Sequence, residues 1–209
     1  DKYLECETGG GLKILTGQVT LINSTISNNK SRSKGGGVHV ACYGYLVLVN
    51  STVSGNYANE SGGGIYMNGS GSFTHSTISN NSANNIGGLA LNGKDTVDNM
   101  GQLSLSYTII AGNIARMDKH GIADCDMQKY AAIFENNFNW IGDGTCSPAF
   151  SGDPQLGPLE DNGGLTQTHS LLPGSPAIDL VPAESCSVDT DQRGEPRLAP
   201  CDLGAYEMQ

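Results

Sequence analysis

Residues 19–29 read VTLINSTISNN, and the phrase returns without gaps as LVLVNSTVSGN from Leu46, GSFTHSTISNN from Gly71 and LSLSYTIIAGN from Leu103. Between these copies runs a second phrase, glycine followed by alternating apolar residues: GGGLKI from Gly9, GGGVHV from Gly35, GGGIYM from Gly62, GGLAL from Gly87 and a degenerate GIAD from Gly121. The asparagine that closes the first phrase falls at Asn29, Asn56, Asn81 and Asn113, spaced 27, 25 and 32 residues apart. A fixed order of two phrases at a period of about 26 residues marks a repeat architecture.

Each repeat offers three apolar columns. Val19/Leu21, Leu46/Leu48, Gly71/Phe73 and Leu103/Leu105 alternate with polar or small residues, which is the period of a strand. Ile26, Val53, Ile78 and Ile110 form a second column, and Leu12/Ile14, Val38/Val40, Ile65/Met67 and Leu89/Leu91 a third. No segment has the 3.6-residue period of a helix, so three short strands per repeat, stacked turn on turn, give an all-β parallel β-helix, a solenoid of about five rungs. An antiparallel sandwich would also contain many short strands, but would not repeat one residue type at one phase of every cycle. Asn29, Asn56, Asn81 and Asn113 suit a corner because asparagine tolerates the left-handed conformation and its amide can bond the asparagine of the next rung. The glycine runs suit another corner, where φ is positive.

Composition narrows the class. The 209 residues carry a formal charge of −10 and a pI near 4.6, which excludes the basic surface a nucleic-acid reader needs. Four Phe and one Trp exclude an aromatic core. The longest apolar run, Tyr45 to Val49, is far short of the roughly 20 residues that cross a bilayer as a helix, so no membrane insertion is expected. The first residues carry no basic start followed by an apolar stretch, so a secretion signal would have been removed already. Six Cys with no CxxC pattern fit disulfides in an oxidising compartment, hence an extracellular or cell-surface location. Pairing by proximity gives Cys125 with Cys146 and Cys186 with Cys201, leaving Cys6 with Cys42, one of fifteen connectivities.

All eight Pro lie between Pro148 and Pro200, where continuous sheet must give way to irregular chain. The expected division is repeats over 1–126 and a C-terminal capping segment over 127–209. Phe134, Phe138 and Trp140 are expected to cover the open core, and Asp124 to occupy the inward phase of Val40, Met67 and Leu91.

The tail GDPQLGPLEDNGGLTQTHSLLPGSPAIDL from Gly152, with TDQRGEPR from Thr190 and CDLGAYE from Cys201, closely resembles the C-terminal domain of large bacterial surface proteins described as choice-of-anchor Q proteins. The likeness runs from about Gly121 to Glu207 and includes NFNWIGDGTC from Asn137. The glycine-rich repeats look like the β-helical repeats of the same proteins. More loosely they resemble polymorphic outer-membrane protein repeats, from which they depart in reading GGGV or GGGI and in lacking the companion Phe-x-x-Asn phrase. The first resemblance implies an exported, pectin-lyase-like, right-handed single-stranded β-helix with a Pro-rich, disulfide-stapled cap, and no established catalytic residues.

Candidate sites follow from the pattern. His39 and Tyr66 fall one rung apart in a column read as outward, and with Tyr43, Tyr45 and Tyr57 they form a candidate glycan-contact patch, weighed against ordinary cross-strand pairing. A polysaccharide lyase or hydrolase needs converging carboxylates. The acids Asp95, Asp98, Asp118, Asp124 and Asp126 place no pair in phase on consecutive rungs, so no catalytic residues are assigned. His75 takes the place of Asn23 and Asn50 in a turn column, and His120 and His169 have no partner at metal-ligand spacing. No cofactor is expected. A structural calcium near Asp143-Gly144 or Asp161-Asn162-Gly163-Gly164 is the candidate metal, against ordinary tight turns. Sequons occur at Asn23, Asn29, Asn50, Asn59, Asn68 and Asn80. The expected function is a structural or adhesive surface module, with its own copies, stacked end to end as a fibre, or an extracellular glycan as partner. A polysaccharide-active enzyme and a carbohydrate-binding module are the alternatives.

Overall fold

The computed structural model describes residues 9–93, 101–117, 123–128 and 131–209. Parallel strands wind through three sheets. Sheet A holds β1 (Leu12–Ile22), β4 (Val38–Val49), β7 (Ile65–Met67), β8 (Ser70–Thr74), β11 (Leu89–Leu91), β12 (Gly101–Ser106), β15 (Cys125–Met127) and β16 (Ala131–Asn137). Sheet B stacks β2 (Thr25–Ser27), β5 (Thr52–Ser54), β9 (Thr77–Ser79), β13 (Ile109–Ala111) and β17 (Trp140–Ile141). Sheet C stacks β3 (Lys30–Ser31), β6 (Tyr57–Ala58), β10 (Ser82–Ala83) and β14 (Ile114–Ala115). These make four complete turns of a solenoid and a fifth that has no sheet C strand among the described residues.

The register is the one the repeated phrases set. Val19, Leu46, Gly71 and Leu103 lie side by side, as do Ile26, Val53, Ile78 and Ile110. Leu12, Val38, Ile65, Leu89 and Cys125 form the third column. These inward residues build one continuous core. Gly71 replaces a leucine there because a Cβ would stand 2.9 Å from Met67 Cε and 3.3 Å from a Phe73 ring carbon, in the space those buried side chains occupy.

Three expectations change. Two of the three strands per repeat belong to one sheet, fused into single long strands in β1 and β4, and the two-residue strands of sheet C were not anticipated. The repeats also continue beyond 126, since β16 and β17 complete the fifth turn and Ile141 joins the core. Finally, Asp124 lies beside the Gly88 phase rather than the phase of Leu91, because Leu89 pairs with Cys125 and Leu91 with Met127.

The asparagine column runs inside the solenoid. Asn29 Nδ2 donates to Asn56 Oδ1 (3.1 Å), Asn56 Nδ2 to Asn81 Oδ1 (2.9 Å) and Asn81 Nδ2 to Asn113 Oδ1 (3.0 Å). Each Oδ1 also accepts the backbone N–H of the preceding asparagine, and each Nδ2 also donates to main-chain carbonyls, as Asn81 does to Val53 and Ser79. The left-handed residue is not the ladder asparagine but its predecessor: Asn28, Gly55, Asn80 and Gly112, with φ from 56° to 70°. That turn swings the next side chain inward. The glycine run meets the ladder across the interior. A Cβ on Gly11, Gly37, Gly64 or Gly88 would stand 2.6–3.0 Å from the ladder amide of Asn29, Asn56, Asn81 or Asn113. Positive φ is found only at the run's first glycine, at Gly35 and Gly62, so close approach, more than backbone freedom, requires the others.

Asp124 ends the ladder. Its Oδ1 accepts Asn113 Nδ2 (2.8 Å) and Asn113 N–H (3.0 Å), and its Oδ2 accepts the N–H of Asp143 (3.0 Å). A carboxylate only accepts, so it satisfies the last amide without needing a further acceptor.

The tail begins on the solenoid's end, where Phe150 pairs in parallel with Trp140 of β17, and only then turns along the rod. It runs along the outer face of sheet B, spanning all five turns. Thr25 Oγ1 donates to Gln167 O (2.6 Å), Thr52 Oγ1 to Gln192 Oε1 (2.6 Å), and the Ala205 N–H to Thr77 Oγ1 (3.0 Å). On the later turns Ile109, Ala111 and Trp140 point outward and are buried beneath Leu171, Ala177, Val181 and Leu203. Within the tail, β18 (Leu156–Glu160) and β19 (Thr168–Leu171) form an antiparallel pair. The C-terminal end of the core is closed by the Cys125–Cys146 disulfide, packed against Ile141. Phe134 is 63% and Phe138 37% exposed, so neither covers the core, and Trp140 lies under the tail instead. The second disulfide, Cys186–Cys201, staples the tail. Loops of 21 and 15 residues would each contribute about 3 kcal/mol by restricting the unfolded chain. Cys42 is half-buried and its expected partner Cys6 lies outside the described residues.

Asn81→Ala should lower the unfolding free energy by about 3–5 kcal/mol, because it strands the buried Asn56 backbone N–H and removes a fully buried side chain's own bonds. Urea denaturation checks this. A loss within about 0.5 kcal/mol, as at an ordinary surface site, would contradict it.

Candidate functional site

The expected aromatic patch is not assembled. His39 and Tyr66 are 1% and 3% exposed, and their rings meet edge to face at 5.4 Å. The chain before each glycine run folds over this half of sheet A. Lys34 Nζ stands 4.9 Å over the Tyr66 ring, Ile86 and Ala90 pack beside it, and Asn92 Nδ2 donates to its hydroxyl. Neither ring face is open for stacking. Tyr57 is on sheet C, under Arg116 at 4.7 Å. Of the five residues, Tyr43 (64% exposed) and Tyr45 (37% exposed) remain on the surface of β4.

Tyr45 instead belongs to a groove of about 500 Å³ on the other half of sheet A, which neither the described loops nor the tail cover. Its floor carries Ser70 and Ser72 from β8 and Gln102 and Ser104 from β12. Tyr45 on β4 walls one side and Phe134 on β16 the other. Four adjacent strands span about 14 Å at about 4.8 Å each. Phe134 projects because it is an extra residue. Leu103 pairs with Ile133 and Ser104 with Glu135, so nothing opposes position 134, and such a bulge re-aims the side chain. Glu135 is the charged member, oriented by the Ser104 hydroxyl that donates to its Oε2. Sequence reading missed Phe134 because a bulge breaks the alternation that reports which way a residue faces.

The acids do not converge. Asp124 is 4% exposed and exchanges backbone hydrogen bonds with Asp143: the Asp124 N–H donates to Asp143 Oδ2 (2.9 Å) and the Asp143 N–H to Asp124 Oδ2. Burial pushes the Asp124 carboxyl up, against the donors from Asn113. Burial also acts upward on Asp143, but bonds from the Thr145 hydroxyl and from the backbone N–H groups of Asp124, Thr145 and Ala123 prevail and hold it low. Asp126 lies in the outward column of Ala90 and Tyr66. Asp95, Asp98, Asp118 and His120 lie outside the described residues. Among the described residues no group of three His, Cys, Asp or Glu could hold a metal ion. Asp143 and Asp161 each accept a backbone N–H two residues on, as turn residues do. No helix among the described residues is long and apolar enough to cross a membrane. Of the sequons, Asn23, Asn59 and Asn80 are exposed and Asn68 half-buried. The amides of Asn29 and Asn50 are engaged, the latter with Thr190 O (2.6 Å), which removes them as acceptors of a glycan.

The densest polar cluster lies in the tail, where the sequence suggested only a family likeness. Arg197 is buried and bonds Glu207 Oε2 (3.1 Å), Asn50 Oδ1 (3.1 Å) and the carbonyls of Asp202 and Gly204. Asp191 pairs with Arg193 at 2.8 Å, and Arg193 stacks on Tyr206 at 3.8 Å. Burial pushes the Glu207 and Asp202 carboxyls up. His169 Nε2 is 2.8 Å from Ser54 Oγ and its Nδ1 2.7 Å from Gly157 O. This Ser–His pair is sealed at the joint between tail and sheet B, with both residues 1% exposed, so it holds the tail and cannot meet substrate. His75 stacks on Tyr107 at 4.9 Å, and neither ring nitrogen makes a hydrogen bond of normal geometry.

A model of the Chlamydia polymorphic membrane protein repeat matches residues 23–41. That stretch holds one ladder asparagine and one glycine run, the two parts of the repeat that meet inside the solenoid. It supports the looser of the two sequence resemblances. The search of curated proteins gave no match. The search of solved structures gave none either.

His75 is held neutral: burial first, then the positive Arg197, lower its pKa from 6.5 to about 3. The unfolded chain therefore binds the extra proton, and this stability, complete above about pH 6.5, is lost as pH falls toward 3. His169, lowered mainly by burial, acts with the same sign. Asp202 and Glu207, whose carboxyls are raised, oppose it only near the ordinary carboxylate range. Thermal unfolding midpoints should fall from pH 7 to pH 5, and His75→Phe should flatten that fall while keeping the stack on Tyr107. An unchanged slope in the variant would contradict the assignment.

Proposed function

We propose that this chain is a non-enzymatic, surface-presented module: a rigid β-solenoid that holds a binding face away from its attachment. The observation that carries the reading is the buried asparagine ladder, which makes the solenoid a stiff rod whose interior is committed to structure. The match to a polymorphic membrane protein repeat supports surface presentation. Among the described carboxylates, Asp124 serves as the ladder's end and Glu207 and Asp191 as partners of buried arginines.

Ladder polarity bears on fibre formation. Its amides donate toward the C-terminal end, and no described residue donates to Asn29 Oδ1 at the other end. Were these two ends to meet, the Asp124 carboxylate, which only accepts, would face Asn29 Oδ1, acceptor to acceptor. The rod is therefore proposed to work as a monomer rather than a filament.

Polygalacturonate incubated with the protein, with and without calcium, should show no gain in unsaturated or reducing ends. Light scattering should return a monomer near 21.8 kDa across concentration and salt. Depolymerisation abolished by Asp126→Ala in a folded variant would overturn the non-enzymatic reading, and concentration-dependent filaments would overturn the monomer.

A further inference from the structure

The groove on sheet A has a shape and chemistry that point to one class of ligand. We infer that it binds a neutral glycan chain lying along the solenoid axis between Tyr45 and Phe134. The inference rests on the surface-module reading and gives it a ligand. Sheet B is covered by the tail and the first half of sheet A by the chain's own loops, whereas this groove is open.

A pyranose ring has two apolar C–H faces and an equator of hydroxyls. Half-exposed aromatic rings fit the faces, because they offer rigid apolar area at low entropic cost. Short hydroxyls and amides fit the equator. The groove supplies both: Tyr45 and Phe134 as ring platforms at its two axial ends, and Ser72, Gln102 and Ser104 as floor between them. Parallel pairing stacks these floor groups at the strand repeat, so an extended polymer meets donors and acceptors at each turn. A globular partner would need far more apolar area than this trough offers.

Charge selects among glycans. Glu135 is the ionisable carboxylate in the groove, fixed by Ser104, and no cation lines it among the described residues. It can accept hydrogen bonds from sugar hydroxyls or an acetamido N–H. A uronic acid would meet it charge to charge, on a protein of net charge −10. The acidic polymers suggested by the shape of the solenoid are thus the wrong ligands for this face.

The test is calorimetric titration of the full chain with N-acetylglucosamine hexamer, cellohexaose and oligogalacturonate. Binding to at least one neutral oligomer is expected, weakened roughly tenfold or more by Phe134→Ala and by Tyr45→Ala. Both side chains are surface residues, and an unchanged thermal midpoint confirms that each variant is folded. Glu135→Gln should improve any residual oligogalacturonate binding, because it removes the opposing charge. Failure of both neutral oligomers to bind, or binding indifferent to Phe134→Ala, overturns the inference while leaving the surface module standing. Cleavage of a bound oligomer would overturn the surface-module reading instead.

Discussion

A column of buried amides fixes this structure. Inside a protein an unpaired amide is expensive, and the backbone N–H of each ladder asparagine is satisfied only if the next turn presents a side-chain oxygen at the same height. The repeat therefore cannot drift. Turn length varies between Asn29, Asn56, Asn81 and Asn113, yet each amide finds its acceptor at 2.9–3.1 Å, and the variation is taken up in the connections outside the column. The same constraint explains the last glycine of each run, whose missing Cβ leaves room for the amide, and the acid at Asp124, where the series must stop.

The tail answers a different problem. Sheet B leaves threonine hydroxyls outward on its first turns and Ile109 and Trp140 outward on its last, so one face changes from polar to apolar along the axis. A segment lying lengthwise can match both. Gln192 and Gln167 meet the hydroxyls, while Leu171, Val181 and Leu203 meet the apolar turns. The Arg197–Glu207 and Arg193–Asp191 pairs hold that segment's own folds together. A buried ion pair contributes little net stability compared with a good apolar core, but losing one partner would leave an unpaired charge and cost about 3–5 kcal/mol. The positive-φ column next to the tail shows the same gradient. Asn23 and Asn50 begin it, and His75, Tyr107 and Phe138 continue it in the same backbone conformation.

What the sequence disclosed was what repeats. Columns such as Ile26, Val53, Ile78 and Ile110 gave the register of sheet B, and the asparagines gave the ladder. Both are legible because stacking forces like residues to one phase. Sheet C escaped because two-residue strands carry no alternation. His39 and Tyr66 were placed outward correctly but are not solvent-facing, since the loops over them have no pattern of their own. The tail's charged residues were visible as a motif, but their role depends on a three-dimensional neighbour, Asn50, almost 150 residues away. Phe134 was misplaced because a bulge leaves no mark in the sequence.

The ladder itself can be observed through the side-chain amide protons of Asn56, Asn81 and Asn113, which should be among the slowest to exchange in the molecule. By NMR, their NH2 signals are expected to persist in deuterium oxide and to decay only with global unfolding. Exchange as fast as that of the exposed Asn59 amide would mean that the amides are open to water and that the solenoid is held by something else.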